Sequence, residues 1–157
     1  MFTNKKAPAK TNKVFIVHGK DSLATEKIAR FIYRLKLEPI ILQEQPNRSR
    51  TLMEKLESHS QVSYAVILFT PDDEGKMVSE VTPLKPRARQ NVIFELGYFV
   101  GLLGRDKVCA LYSEGVDLPS DLDGVSWIPF NNSESWRLLL AREIKAAGLY
   151  IDLNNAL

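Results

Sequence analysis

The sequence has few of the residues that metal sites and cross-linked folds require. Its 157 residues include one cysteine, Cys109, and two histidines, His18 and His59. A single cysteine excludes an internal disulfide and any zinc site built from several cysteines. We therefore expect no bound metal. The scarcity of cysteine also agrees with a cytoplasmic location.

Long uninterrupted apolar segments are missing as well. The longest, from Val92 to Gly104, is interrupted by Glu95. It is also shorter than the ~20 residues that a helix needs to cross a bilayer. No apolar segment follows the first lysines, so no secretory signal is visible. We expect a protein with no membrane partner.

Neither sign of charge is in large excess, because 21 basic residues face 19 acidic ones. Four of the lysines lie in residues 1–13, which contain no acid, so the remaining chain is slightly acidic. We interpret 1–12 as a flexible basic leader rather than a nucleic-acid-binding arm. The length allows one domain, predicted at 13–150 and followed by a C-terminal tail at 151–157.

The chain does contain a regular alternation of short apolar runs and helical patterns. Five strands are predicted, at 13–17, 39–42, 64–69, 107–112 and 125–130. Strands separated by helices pair in parallel through right-handed crossovers. The prediction is an α/β fold with a flavodoxin-like, five-stranded parallel sheet in the order 2-1-3-4-5 and helices on both faces.

Three helix starts carry capping signals. The predicted caps are Asp21 or Ser22, then a Thr51–Glu54 capping box, then Asn132 or Ser133. A further helix is predicted at 89–103. Gly97 and Gly101 lie four residues apart on one face of it, a spacing that predicts close packing on a neighbour. Segment 70–86 is predicted to be a long irregular loop.

In open parallel sheets, ligands bind at the carboxyl ends of the strands. This rule selects the residues after the first and third strands and the start of the 89–103 helix as candidate substrate-binding residues: His18, Gly19, Lys20, Asp21, Thr70, Asp72, Asp73, Arg87, Arg89 and Asn91. Two of these assignments have ordinary alternatives. A histidine at a strand end is often purely structural, and Pro-Asp-Asp is a common turn. Neither a dinucleotide-binding glycine motif nor a P-loop is present, which disfavours dehydrogenases and P-loop NTPases.

Glu95 is the most unusual residue of the sequence, because it interrupts an otherwise apolar helix. Glutamates are rarely buried unless they are paired. The sequence leaves two possibilities open. Glu95 forms a structural salt bridge with Arg87 or Arg89, or it faces a cleft as a functional carboxylate.

Three segments together resemble a TIR-like family of bacterial defence proteins, whose TIR domains are also found fused to STING-type sensors. They are Val14-Phe-Ile-Val-His-Gly19, Leu68-Phe-Thr-Pro-Asp-Asp-Glu-Gly75 and the Arg87–Arg105 segment with its Asn-Val-Ile-Phe-Glu-Leu-Gly core. The segment Pro119-Ser-Asp-Leu-Asp-Gly124 fits the family as well. The resemblance implies a TIR fold and cleavage of the nicotinamide–ribose bond of NAD⁺ in antiviral defence. It places the family's catalytic glutamate at Glu95. NAD⁺ would be the substrate, and no cofactor is implied.

The resemblance also implies partners. TIR domains assemble with one another, and segment 43–50 corresponds to the loop that they use for assembly. Few residues follow Leu149, so we expect a sensor or activator on a separate chain. Two alternatives to NAD⁺ hydrolysis stay open. One is a deoxyribosyltransferase-like N-glycosidase that uses the same carboxylate, and the other is a catalytically silent module for nucleotide binding or assembly.

Overall fold

A computed structural model describes residues 10–42 and 50–157. The strands of its main sheet are β1 Lys13–Val17, β2 Glu38–Ile41, β3 Tyr64–Phe69, β6 Val108–Tyr112 and β7 Ser126–Pro129. They are all parallel and lie in the order β2-β1-β3-β6-β7. Counted along the chain, this order is the predicted 2-1-3-4-5. Most of the predicted leader and all but the last residue of the predicted loop at 43–50 lie outside the described residues.

Among the described residues, the helices are α1 Ser22–Arg34, α2 Leu52–Ser58, α3 Gln90–Leu103 and α4 Trp136–Ala146. The first two begin as the sequence predicts. The side chain of Asp21 accepts a hydrogen bond from the Ala24 N–H at 2.9 Å. Thr51 and Glu54 form the predicted capping box. None of the described helices has both the length and the apolar character that crossing a membrane requires.

The strands are buried on both sides, and alternate residues enter two separate cores. On β1, Val14 and Ile16 belong to a core that includes α1 and α4. Phe15 and Val17 belong to a core that includes α2 and α3. This alternation follows from the two-residue period of a strand. As a result, α1 and α3 lie on opposite faces of the sheet.

The C-terminal segment packs against α1. Ile151 and Ala156 are buried, and Leu153–Ala156 form a short 3₁₀ helix. The Arg34 Nε–H donates a hydrogen bond to the Asn155 carbonyl at 2.6 Å. The predicted tail therefore contributes to the core on the α1 face.

The predicted irregular loop at 70–86 contains a small antiparallel hairpin. Its strands are β4 Asp73–Gly75 and β5 Lys85–Arg87, and Asp73 pairs with Arg87. Three-residue strands are too short to produce a periodic pattern, and Pro86 disfavours a strand locally. The hairpin lies directly after the carboxyl end of β3.

Two local predictions are wrong. Gly97 and Gly101 are exposed, and a Cβ added to either would meet no atom within 4 Å, so they do not allow close packing. The last helix begins at Trp136 after Ser135, not after Asn132 or Ser133. The Asn131 side chain accepts hydrogen bonds from the N–H and hydroxyl of Ser133, which forms a turn before the helix.

Candidate active site

Helix α3 directs its one charged side chain toward the sheet. Glu95 lies three residues after Val92 and four before Phe99, and both of these pack in the core beneath the helix. The 3.6-residue period places all three on one stripe. Glu95 is accordingly only 8% exposed, which is rare for a glutamate.

Among the described residues, nothing donates a hydrogen bond to the Glu95 carboxylate or pairs with its charge. The salt bridge to Arg87 or Arg89 does not form, and neither arginine takes part in an ion pair with any residue of 10–42 or 50–157. Burial raises the pKa of Glu95 from 4.5 to about 7, with no opposing cause. The carboxyl group is therefore poised between its charged and neutral forms near neutral pH.

A single carboxylate joins the loops that follow β1 and β3. The Oδ2 atom of Asp72 accepts hydrogen bonds from the Thr70 hydroxyl at 2.6 Å and from the Lys20 backbone N–H at 3.2 Å. Thr70 is 2% exposed, and Gly19 packs directly against the same carboxylate. The structure thus brings Gly19, Lys20, Thr70 and Asp72 together, as the edge rule for parallel sheets predicts.

Two other predicted residues have local structural partners. The His18 Nδ1 atom lies 2.9 Å from the Gly19 carbonyl oxygen. The His18 ring lines a cavity of about 340 Å³ between α1 and the end of β2, on the sheet face opposite α3. Asp21 caps α1, and its carbonyl accepts a hydrogen bond from the Thr25 hydroxyl at 2.7 Å.

Arg87 lies where the hairpin meets the start of α3. Its guanidinium covers Gly75 so closely that a Cβ added there would lie 2.1 Å from Nη1. The Nε atom of Arg87 is buried and has no hydrogen-bond partner among the described residues. Arg87 lines a cleft of about 330 Å³ together with Ala88, Gln90, Ile93, Asp117, Leu118 and Pro119.

The remaining candidates surround the first turn of α3. Arg89 is the residue before the helix, and its side chain makes no capping hydrogen bond. Asn91 is exposed, although it lies one turn before the buried Glu95. An N-terminus with no side-chain cap leaves backbone N–H groups available to an anion. Asp73 lies opposite Arg87 in the strand register of the hairpin.

The structure does not gather all these residues around Glu95. Glu95 lines none of five well-formed cavities described here, whose volumes range from about 230 to 400 Å³. A substrate cleft beside this carboxylate stays a prediction. Within 10–42 and 50–157, no three histidine, cysteine or carboxylate side chains cluster as a metal site requires.

Sequence reasoning missed the far wall of the Arg87 cleft. Asp117, Leu118 and Pro119 lie in the connection between β6 and β7. The Asp117 N–H donates a hydrogen bond to the Pro86 carbonyl at 2.8 Å, which holds this connection against the hairpin. The contact spans too many residues for a local pattern to show it. The edge rule would have found it if applied to the residues after β6 as well.

Comparison with known proteins identifies the family. A family model described as the TIR domain of CAP12/Pycsar effector proteins matches residues 13–132. The uncharacterized protein YuaY of Escherichia coli is 48% identical over 94% of this chain and 49% of its own length. Protein tirC of Dictyostelium discoideum is 38% identical over 75% of this chain and 64% of its own.

The Pycsar effector protein PaPycTIR of Pseudomonas aeruginosa is 40% identical over 55% of this chain and 28% of its own length. The chain therefore spans between about a quarter and two thirds of these relatives. The predicted TIR fold is confirmed by the family match together with the strand order. Because the matched residues 13–132 make up most of the chain, this protein belongs to the TIR-domain family of CAP12/Pycsar effector proteins.

Proposed function

We propose that this TIR domain hydrolyses NAD⁺ at the bond between nicotinamide and ribose, with Glu95 as the catalytic residue. The observation that carries the proposal is the buried Glu95 carboxylate, which lacks a charged partner among the described residues. An uncompensated buried charge lowers stability, and perturbed carboxylates of this kind are concentrated at functional sites. The family resemblance assigns catalysis to the same residue.

One carboxylate suffices for this chemistry because of the leaving group. Nicotinamide in NAD⁺ is a cation, and it departs as a neutral molecule when it keeps the electrons of the C–N bond. No general acid is needed, unlike in glycosidases that use two carboxylates. Positive charge develops on the ribose as the bond breaks, and an ionised Glu95 stabilises it electrostatically.

Water then attacks the ribose carbon from which nicotinamide has left. The products are ADP-ribose, nicotinamide and one proton. With a pKa raised to about 7, Glu95 is basic enough to accept that proton near neutral pH. The same burial that raises the pKa also places the carboxylate in a less polar environment, which strengthens its interaction with the cationic ribose.

The pyrophosphate of NAD⁺ is negatively charged, so it binds cationic side chains and N–H groups. Both are present at the start of α3 and in the residues just before it. Arg87 lines the 330 Å³ cleft, its buried Nε has no hydrogen-bond partner among the described residues, and α3 lacks a side-chain cap. We assign the pyrophosphate to this region, with Arg89 and Lys20 as further cations. Asp73 is a candidate for the ribose hydroxyls, and Asn91 stays a candidate for another contact with the substrate.

The relatives support a defence role. Curated proteins matching parts of this chain are named Pycsar effector protein and CD-NTase-associated protein 12. We propose that this domain is likewise an effector in bacterial antiviral defence, that it works with a sensor or activator, and that it self-associates through TIR–TIR contacts. Its cytoplasmic location stays a prediction.

A second candidate function is a catalytically silent module that binds nucleotides or assembles. One observation favours it: Glu95 lines none of the described cavities. NAD⁺ that is bound but recovered intact would identify this module. The deoxyribosyltransferase-like alternative predicts release of bases from deoxynucleosides in place of nicotinamide from NAD⁺.

The proposal is tested by incubating concentrated protein with NAD⁺ and measuring nicotinamide and ADP-ribose by mass spectrometry. Deoxynucleosides serve as competing substrates. Glu95→Gln should lower the rate at least about 100-fold, because the amide cannot carry the stabilising charge. Glu114→Gln is the matched control, since Glu114 is exposed in the β6–β7 connection. A Glu95→Gln variant as fast as wild type would contradict the assignment.

A further inference from the structure

The carboxylate of Asp72 connects two loops that leave adjacent strands. β1 and β3 pair side by side, with Val17 opposite Ile67 near their carboxyl ends. Beyond these ends, no backbone hydrogen bond among the described residues connects the loop after β1 to the loop after β3. The connection is made instead by the Asp72 Oδ2 atom. It accepts one hydrogen bond from the Thr70 hydroxyl in its own loop and another from the Lys20 N–H in the loop after β1. Both bonds are charge-assisted and therefore stronger than neutral ones.

Gly19 makes this arrangement sterically possible. A Cβ added to Gly19 would lie 1.8 Å from the Asp72 Oδ2 atom and 3.3 Å from the Thr70 hydroxyl oxygen. The backbone of Gly19 is not in the left-handed region, so an L-residue could adopt its conformation. The requirement for glycine comes from the close approach of the carboxylate, which any side chain would displace.

We propose that Asp72 is a positioning residue that sets the separation of the β1 and β3 loops, and that Gly19 is required because it accommodates this carboxylate. The proposal rests on the proposed function, in which both loops line the site. It gives Asp72 a different role from the direct substrate contact that the sequence predicts for this residue. Its oxygen already accepts two bonds from the protein, one of them from the buried Thr70.

Four variants separate positioning from substrate contact. Asp72→Ala removes the acceptor, Thr70→Val removes one donor, and Gly19→Ala displaces the carboxylate while leaving every bonding group in place. Asp72→Asn retains an oxygen acceptor. Glu74→Ala, in the adjacent exposed position of β4, is the matched control. Each variant is measured for kcat and KM toward NAD⁺ and for hydrogen exchange of the Lys20 amide by NMR.

We expect Asp72→Ala and Gly19→Ala each to lower kcat by about tenfold or more, because small misplacements of catalytic loops are costly. The Lys20 amide should exchange faster in both variants. Asp72→Asn should keep most of the activity. In an Asp72→Ala background, neither Gly19→Ala nor Thr70→Val should lower kcat further, because all three changes break the same connection.

A direct role in substrate binding predicts the opposite pattern. Asp72→Asn would then raise KM as much as Asp72→Ala, and the losses from Thr70→Val and Asp72→Ala would add. Either result, or unchanged Lys20 exchange in Asp72→Ala, would overturn the positioning role. If wild type does not cleave NAD⁺, the proposed function fails separately, and the exchange of the Lys20 amide alone decides whether Asp72 connects the loops.

Discussion

Helices α3 and α4 pack on opposite faces of one sheet, but they differ in whether their carboxylates have hydrogen-bond donors. In α4, apolar residues such as Trp136 and Leu140 face the core, and the half-buried Glu143 accepts a hydrogen bond from the Ser126 hydroxyl at 2.7 Å. In α3, the charged Glu95 is buried with no partner among the described residues, while Phe94 is 53% exposed.

The comparison separates a carboxylate that has a hydrogen-bond donor from a buried carboxylate that has none among the described residues. Helix α4 buries four residues on one face, although its Leu139 is 40% exposed, and it buries no acid. Helix α3 repeatedly breaks the rules that stabilise an amphipathic helix, with a buried acid, exposed apolar side chains and two exposed glycines in its interior. Violations of this kind, concentrated in one element, mark the part of a protein where function opposes stability. The three predictions below, ordered by the size of the expected effect, test this contrast.

Replacing Glu95 should stabilise the protein in a pH-dependent way. Folding raises the pKa of Glu95 from 4.5 to about 7. Below pH 4.5 the group is protonated in both states, whereas above pH 7 its charge opposes folding. Because one pKa unit corresponds to about 1.4 kcal/mol, Glu95→Gln should raise the free energy of unfolding by about 3 kcal/mol at pH 8 and about 1 kcal/mol or less at pH 5.

Denaturant unfolding at the two pH values measures this difference. Glu143→Gln is the control from α4, and it should bring no gain in stability, because the native carboxylate already has a hydrogen-bond donor. Equal stability of wild type and Glu95→Gln at pH 8 would show that α3 and α4 do not differ in this respect.

Removing the partner of Glu143 should have a smaller effect of opposite sign. Ser126→Ala deletes the hydroxyl that donates to Glu143, and we expect the free energy of unfolding to fall by about 1.5 kcal/mol. Thermal unfolding at pH 7 measures it. An unchanged free energy of unfolding would mean that the hydrogen bond from Ser126 does not stabilise Glu143. The contrast between the two helices would then disappear.

The exposed glycines of α3 give the smallest predicted effect. Gly97→Ala should stabilise the protein by about 0.5–1 kcal/mol, because the added methyl group meets open space and alanine favours a helix. Gly104→Ala should instead destabilise, since Gly104 ends the helix with φ at 90°. Thermal shifts in the same direction for both variants would contradict this account.

Much of the fold could be predicted because its signals are local. The five sheet strands are short apolar runs, and the caps at Asp21 and Thr51 depend on residues within one helical turn. The β4–β5 hairpin could not be predicted in this way. Its strands are three residues long, and the Asp117 N–H that supports it comes from a distant connection.

For the candidate site, the sequence predicted that the loops after β1 and β3 come together, but not the contacts that they make. The edge rule selected the loops that Asp72 joins, but their hydrogen bonds depend on how β1 and β3 pair. The sequence left the environment of Glu95 open between a salt bridge and a cleft. The helical period puts Glu95 on the buried stripe, but only the structure shows that no arginine of the described ranges 10–42 and 50–157 pairs with it.

The burial of Glu95 raises its pKa to about 7, close to neutral pH. A carbon-13 NMR titration of the side-chain carboxyl groups measures this directly, with Glu95→Gln assigning the signal. The account predicts a midpoint at about 7 for Glu95. A midpoint near the ordinary value of 4.5 would contradict it, because the carboxylate would then be solvated or paired.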